Sequence, residues 1–218
     1  MFMTKILIGC PTYDGKVYCL EKYVQGLKAL KGSNLSFLIV DNSKEEEYAK
    51  LIGTLGVPAT HINYLPDARD RVTVSRNLLR NVVLEGEYDY FLSLEQDIIP
   101  EPEIIEKMLA HKKDIVAAPY CLFHEIDGKR VLVPVVYDVH PKDPKGLWYI
   151  SKEELQKPQL KEVKGFGLGC VLISRKVLEQ IKFRHGEGYD DMMFCKDAIE
   201  KGFKLYLDTT LKLNHLVL

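Results

Sequence analysis

The chain lacks most of the features that settle a protein's class at a glance. No C-x-x-C pair occurs among its five cysteines, Cys10, Cys19, Cys121, Cys170 and Cys195, which are odd in number and widely spaced. That pattern argues against a disulfide framework or a zinc site and for a reduced, cytoplasmic compartment. No G-x-G-x-x-G follows the first apolar run, which argues against a dinucleotide cofactor, and the absence of G-x-x-x-x-G-K-[ST] excludes a P-loop NTPase. There is no long apolar stretch: Ile6-Leu7-Ile8 near the start is too short for a signal peptide or a transmembrane segment. Charge is balanced, 30 Lys and Arg against 31 Asp and Glu for a net −1, so no global basic field points to nucleic acid or an anionic membrane.

What is present is an ordinary globular composition, 46% hydrophobic and 28% charged over 218 residues, long enough to bury a real core. The length suits one domain with a small added lobe. A buried strand over 5–10 stops at the breaker-rich turn Pro11-Thr12-Tyr13-Asp14-Gly15. The helical spacing of Leu20, Tyr23, Val24, Leu27 and Leu30 predicts a helix over 17–30, closed by Gly32. A strand over 35–40, an acidic helix over 45–55 and a weaker strand over 57–64 follow. This β-α-β-α-β order implies a parallel, doubly wound α/β sheet.

The next segment holds Arg69, Arg71, Arg76 and Arg80, with Val74, Leu78, Leu79 and Val82 marking a helix. Taken alone it reads as a solvated basic face; the alternative is a guanidinium contact to a phosphate or base. A strand over 88–94 then ends in Glu95-Gln96-Asp97. In extended backbone the i, i+2 spacing sets both carboxylates on one side. The edge of an α/β sheet beyond the carboxyl ends of its strands is where ligands sit, and two hard oxygens there suit a divalent cation beside a phosphate; a solvated loop has the same spelling. Pro102 opens a helix, and a fifth strand covers 114–118. Residues 121–163 change character, with a hairpin signal at Asp127-Gly128, a strand-like run over 131–139 and a Pro- and Lys-rich span holding the only tryptophan, Trp148. They read as an insertion that shapes a pocket. Gly165, Gly167 and Gly169 lead into an apolar strand and serve either close approach to a ligand or a tight corner. A short helix covers 175–181, and 185–189 form a loop. Asp190-Asp191 then open a helix over 192–201, where one acid suffices as a cap, and strands over 204–207 and 211–213 precede His215.

Taken in order, these pieces resemble the GT-A glycosyltransferases, in particular the family-2-like nucleotide-sugar transferases. Pro11-Thr12-Tyr13 stands where that family has its first turn, Asp41-Asn42-Ser43 at its acidic triplet, and Ser75-Arg76-Asn77 on its Ala-Arg-Asn helix. Glu95-Gln96-Asp97 with Pro100 matches its metal motif, 165–173 its Gly-rich strand, Asp190-Asp191 with Gly202 its paired acids, and His215 the histidine after its last strand. The resemblance implies a GT-A fold over the whole chain, 1–218, with a nucleotide-binding half in 1–100, an acceptor and sugar half in 101–218, and an inserted lobe. It implies Mn²⁺ or Mg²⁺ on Asp97, Glu95 and His215. Asp191, with Asp190, becomes the base; Pro11, Thr12, Tyr13, Asp41, Arg76 and Gln96 hold the nucleotide; Gly167 and Trp148 line the sugar and acceptor side. The implied partners are a nucleoside-diphosphate sugar and an acceptor hydroxyl on a glycan, lipid or protein, with inverting transfer. Two positions depart from the pattern, Glu95 for Asp and Asp190 for Glu. The longer Glu95 arm either ligates differently or leaves Asp97 to carry the ion alone. A sugar nucleotidyltransferase and a non-catalytic nucleotide-sugar-binding module are the competing expectations.

Overall fold

The computed structural model describes residues 4–32, 34–126, 128–186 and 188–216. The chain runs β1 (Ile6–Thr12), a 3₁₀ segment (Asp14–Cys19), α1 (Leu20–Ala29), β2 (Leu35–Asp41), α2 (Glu47–Thr54), β3 (Ala59–His61), α3 (Ala68–Glu85) and β4 (Tyr90–Leu94). Next come β5 (Ile98–Pro100), α4 (Ile104–Ala110), β6 (Ile115–Ala117), β7 (Cys121–Ile126), β8 (Lys129–Pro134), β9 (Val136–His140) and β10 (Asp143–Tyr149). The remainder is α5 (Lys152–Gln156), β11 (Leu160–Val163), β12 (Gly165–Phe166), β13 (Cys170–Ser174), α6 (Arg175–Gln180), α7 (Asp190–Glu200), β14 (Leu205–Asp208) and β15 (Leu213–His215).

Eight strands form one mostly parallel sheet in the order β11-β14-β6-β13-β4-β1-β2-β3. From β1 the chain winds outward through β2 and β3, then returns to pair β4 on the other side of β1, all in parallel. The reversal leaves a crevice between β1 and β4 at their carboxyl ends, the place where open α/β sheets bind ligands. β13 enters between β4 and β6 antiparallel to both, and β11 is antiparallel to β14. The α/β expectation holds, with these antiparallel strands added.

Alternation along the strands divides the core into two layers. Leu7, Phe91, Val171 and Ile173 face α3, α6 and α7 through Leu79, Val83, Val177, Leu178, Phe194 and Ala198. Ile6, Ile8, Leu92 and Leu94 face α1, α2 and α4 through Tyr23, Leu27, Ile52, Ile104 and Met108. Both layers follow from the period of two along a strand and burial on both faces of a parallel sheet.

Local departures have local causes. The helix expected over 17–30 begins as a 3₁₀ turn, because Lys16 N–H closes on the Tyr13 carbonyl at 2.9 Å. The run expected over 131–139 is two strands: Pro134 ends β8, and Val136 opens β9. The hairpin expected at Asp127-Gly128 is flanked by the paired strands β7 and β8, while Asp127 itself lies outside the described residues. The span 140–161 is not bare loop: β10 and α5 lie in it, and β9, β10 and β12 form a three-stranded sheet. Among the described residues no helix is long and apolar enough to cross a membrane.

Gly9 pairs with Leu38 between β1 and β2, and a Cβ there would stand 2.1 Å from the Leu38 carbonyl oxygen. Backbone cannot yield as a side chain can, so Gly9→Ala is expected to lose about 3 kcal/mol of stability through overpacking. The midpoint of urea unfolding measures it, and an unchanged midpoint would refute the constraint.

Candidate active site

A cavity of about 530 Å³ opens at the carboxyl edge of the sheet. One wall is the turn after β1 with Pro11, Thr12, Tyr13 and Lys16; the floor is Arg76, Glu95 and Gln96; the far wall is Tyr189, Asp190 and Asp191. Residues from Pro11 to Asp191 therefore meet because β1 and β4 end, and α7 begins, at one edge.

Arg76 occupies the centre. It is only 3% exposed. Asp67 caps α3 by accepting from Arg69 N–H at 2.8 Å, and the turns that follow bury Ser75, Arg76, Leu79 and Val83 on one stripe. Arg76 Nη1 donates to Ser93 Oγ at 2.9 Å and Nη2 to Glu95 Oε1 at 2.9 Å. Its Nε lies 2.9 Å from Asp190 Oδ2. That contact lacks hydrogen-bond alignment, and both Nε and Asp190 Oδ2 are buried without a hydrogen-bond partner. Ser93 Oγ passes the chain on to the Leu168 carbonyl at 2.6 Å. The solvated basic face expected for this helix is thus corrected: Arg76 points inward, and Arg80 Nε donates to the carbonyls of Leu178 at 2.7 Å and Ile181 at 2.8 Å.

Gln96 organises the opposite wall. Its Nε2 donates to the Lys16 carbonyl at 3.0 Å and to Tyr48 Oη at 2.6 Å, and its Oε1 accepts from Thr12 Oγ1. Asn42 lines the cavity beside it. Asp41 does not: it is fully buried, accepting from Ser43 N–H at 2.9 Å, from Ser43 Oγ, and from Ala49 N–H at 3.1 Å. Its carboxylate shapes the turn after β2 and the start of α2, so Asn42 is the member of that triplet facing the cavity.

The two acids expected to share an ion are separated in their partners. Glu95 goes to Arg76, while Asp97 Oδ2 takes the Lys16 ammonium and lies 3.4 Å from His215 Nε2. Among the described residues Asp97 Oδ1 is buried without a hydrogen-bond partner. Burial opposes ionisation of Asp97, yet its neighbours His215 and Lys16 hold its carboxyl below the ordinary 3.8. His215 is no loose terminal side chain. β15 pairs with β5, Leu216 N–H donates to the Asp97 carbonyl at 2.7 Å, and His215 Nδ1–H donates to the Cys121 carbonyl at 2.7 Å. A carbonyl only accepts, so Nδ1 carries the proton and Nε2 faces Asp97. Among the described residues no three His, Cys, Asp or Glu side chains gather as a ready metal site. Asp97 with its free oxygen and His215 Nε2 do form two converging donors, which suits a cation completed by phosphate oxygens and water. Glu95, held by Arg76, is outside that pair.

Asp191 stands at the first turn of α7 on the cavity wall, its Oδ1 accepting from Met192 N–H at 2.7 Å. Burial raises its carboxyl above the ordinary 3.8. Asp190 is 1% exposed and faces Arg76, so the pair divides into an anchored acid and a cavity-facing one. Gly167 and Gly169 form a tight corner: a Cβ at Gly167 would meet Tyr120 Oη at 2.1 Å, and one at Gly169 would meet Ile98 Cδ1 at 2.5 Å. Tyr120 in turn lines the cavity. Trp148 does not reach it. On β10 it is 49% exposed and packs edge-on against His140 and Tyr149 at 5.4 and 5.8 Å between ring centroids. Lys16, Tyr48, Ser93 and Tyr120 carry no motif and are found only through the fold.

No protein-family model matches the chain, and no curated protein matches it significantly. Solved structures do. A197 from STIV is similar over 98% of this chain and 86% of its own, with TM-score 0.52 and 19% identity. S. aureus TarS 1-349, crystallised with UDP-GlcNAc, matches 94% of this chain at TM-score 0.56 and 11% identity. GalNAc-T7, crystallised with UDP, GalNAc and Mn²⁺, matches 99% at TM-score 0.66 and 10% identity. The chain spans 56% of the TarS fragment and 44% of GalNAc-T7, about half of each. The last two are GT-A glycosyltransferases, and at these identities the likeness concerns architecture: the chain has the GT-A fold.

Proposed function

We propose that the chain transfers a sugar from a nucleoside-diphosphate sugar to an acceptor hydroxyl, in one displacement with inversion at the anomeric carbon. The observation that supports it most is the cavity in which the turn after β1 and the residues after β4 face the carboxylate of Asp191. The nucleotide is assigned to the side of Pro11, Thr12, Tyr13, Asn42 and Gln96, within residues 1–100. Residues 101–218 supply the sugar and acceptor side, with Gly167 acting through its tight contact with Tyr120.

Asp191 takes the proton of the acceptor hydroxyl. The oxygen attacks the anomeric carbon, and the bond from that carbon to the diphosphate breaks with its electron pair passing to the phosphate oxygen. Burial of Asp191 favours this role, because a carboxylate in low-dielectric surroundings is a stronger base than one in water. Arg76 holds Asp190 and so sets the start of α7, which positions Asp191. Mn²⁺ or Mg²⁺, held by Asp97 and His215, would neutralise the leaving diphosphate.

Four outcomes are expected. In a thermal-shift screen, UDP or another nucleoside diphosphate with Mn²⁺ raises the melting temperature; no shift with any of them removes the proposal. Asp191→Asn lowers kcat by about 10²–10⁴-fold while keeping the nucleotide-induced shift, and undiminished turnover would exclude it as the base. Because only ionised Asp191 accepts a proton, kcat/KM rises with pH along an acid limb that lies above 3.8 and disappears in Asp191→Asn. Arg76→Met leaves Asp190 and Glu95 without their cation and loses about 3 kcal/mol in chemical unfolding, together with activity. Full activity and stability in that variant would disprove the anchoring.

A further inference from the structure

The partner of Asp97 carries a consequence that the transfer chemistry does not use. Lys16 is the cation that sits on Asp97 Oδ2, and its side chain also lines the cavity. Its backbone is fixed: the amide donates to Tyr13, the carbonyl accepts from Gln96 Nε2 at 3.0 Å, and Cys19 Sγ donates to the same carbonyl at 3.1 Å. Its side chain is 27% exposed, so the four-carbon stem can change rotamer without disturbing that backbone. On the same carboxylate, Oδ1 is buried and without a partner, and His215 Nε2 approaches Oδ2. A divalent cation taken up by Asp97 and His215 would lie beside the Lys16 ammonium. The two like charges oppose each other in a site partly shielded from water. An anion in the cavity removes the conflict, because it gives the ammonium another partner.

We propose that Lys16 is an exchangeable counter-cation of Asp97: it holds the carboxylate while the cavity is free of nucleotide and passes to the diphosphate when a nucleoside diphosphate binds. The inference rests on the nucleotide-sugar reading above. It makes cation affinity conditional on the nucleotide, and by linkage nucleotide affinity conditional on the cation to the same degree. It also assigns the diphosphate a protein-borne positive charge from a position outside the acidic motif.

The test measures Mn²⁺ binding to the full chain by the loss of the free-ion paramagnetic resonance signal, with and without UDP. In the unaltered protein UDP is expected to strengthen Mn²⁺ binding at least ~10-fold, the size of a typical coupling between sites. Lys16→Gln, with Lys16→Met as a second form, is expected to bind Mn²⁺ alone about ten-fold more tightly and to lose most of the enhancement by UDP. Lys16→Gln should also bind UDP more weakly in the presence of EDTA. Asp97→Asn should abolish Mn²⁺ binding in either background. If Mn²⁺ affinity without UDP is the same in Lys16→Gln and Lys16→Met as in the unaltered protein, the exchange is overturned while the transferase reading stands. Retained Mn²⁺ binding in Asp97→Asn overturns it as well. If UDP binds to no form under any condition, the nucleotide-sugar reading fails, and the exchange fails with it.

Discussion

The site depends on one buried guanidinium. Arg76 is nearly cut off from water, and an isolated charge at such a depth would be strongly unfavourable. It persists because three elements bring it partners: Ser93 from β4, Glu95 just beyond it, and Asp190 from the start of α7. The constraint runs both ways. Asp190 at 1% exposure is equally dependent on a cation, so α7 and the end of β4 cannot shift relative to α3 without uncovering a charge. What looks like a set of binding residues is first a clamp that fixes the cavity's dimensions.

Around that clamp the acids divide by neighbourhood. Glu95 is drawn to Arg76, Asp97 to Lys16 and His215, and Asp191 faces the cavity with its carboxyl raised by burial. Identical chemistry thus serves three purposes, and the choice is made by which cation each carboxylate can reach. The orphaned Oδ1 of Asp97 is the complementary feature: a buried acceptor without a donor marks a place shaped for something other than protein.

Much of this was legible in the amino-acid order. The alternating β and α segments predicted the doubly wound sheet, and the breakers after β1, β2 and β4 marked the edge where the cavity lies. The pattern was misleading wherever a polar residue sat in an apolar stripe. Arg76 lies at i−3 from Leu79 and i−7 from Val83, on the buried face, but a charged residue weighed alone reads as solvated. Asp41 reads as a ligand because it ends a strand, yet the chain turns so sharply behind it that its own Ser43 and Ala49 take the carboxylate. Trp148 was placed on the sugar and acceptor side by resemblance alone, and β10 carries it away from the cavity. Lys16 had no signal of its own, since its meaning comes entirely from Asp97, 81 positions away.

The antiparallel strand β13 has an implication for how the molecule assembles. β2 and β3 follow β1 through crossovers of modest length, whereas β4 must find β1, and β13 must find β4, across about 80 residues each, the second pairing aligning Cys170 with Leu94 and bringing Gly169 O onto Glu95 N–H. Loops of that length close slowly because ordering entropy is lost before any contact rewards it. β1, β2 and β3 can therefore organise from nearby contacts. The cavity edge that holds Glu95 and Asp191 is complete once both long-range pairings are made. The cavity thus depends on contacts that lie far apart along the chain and form late.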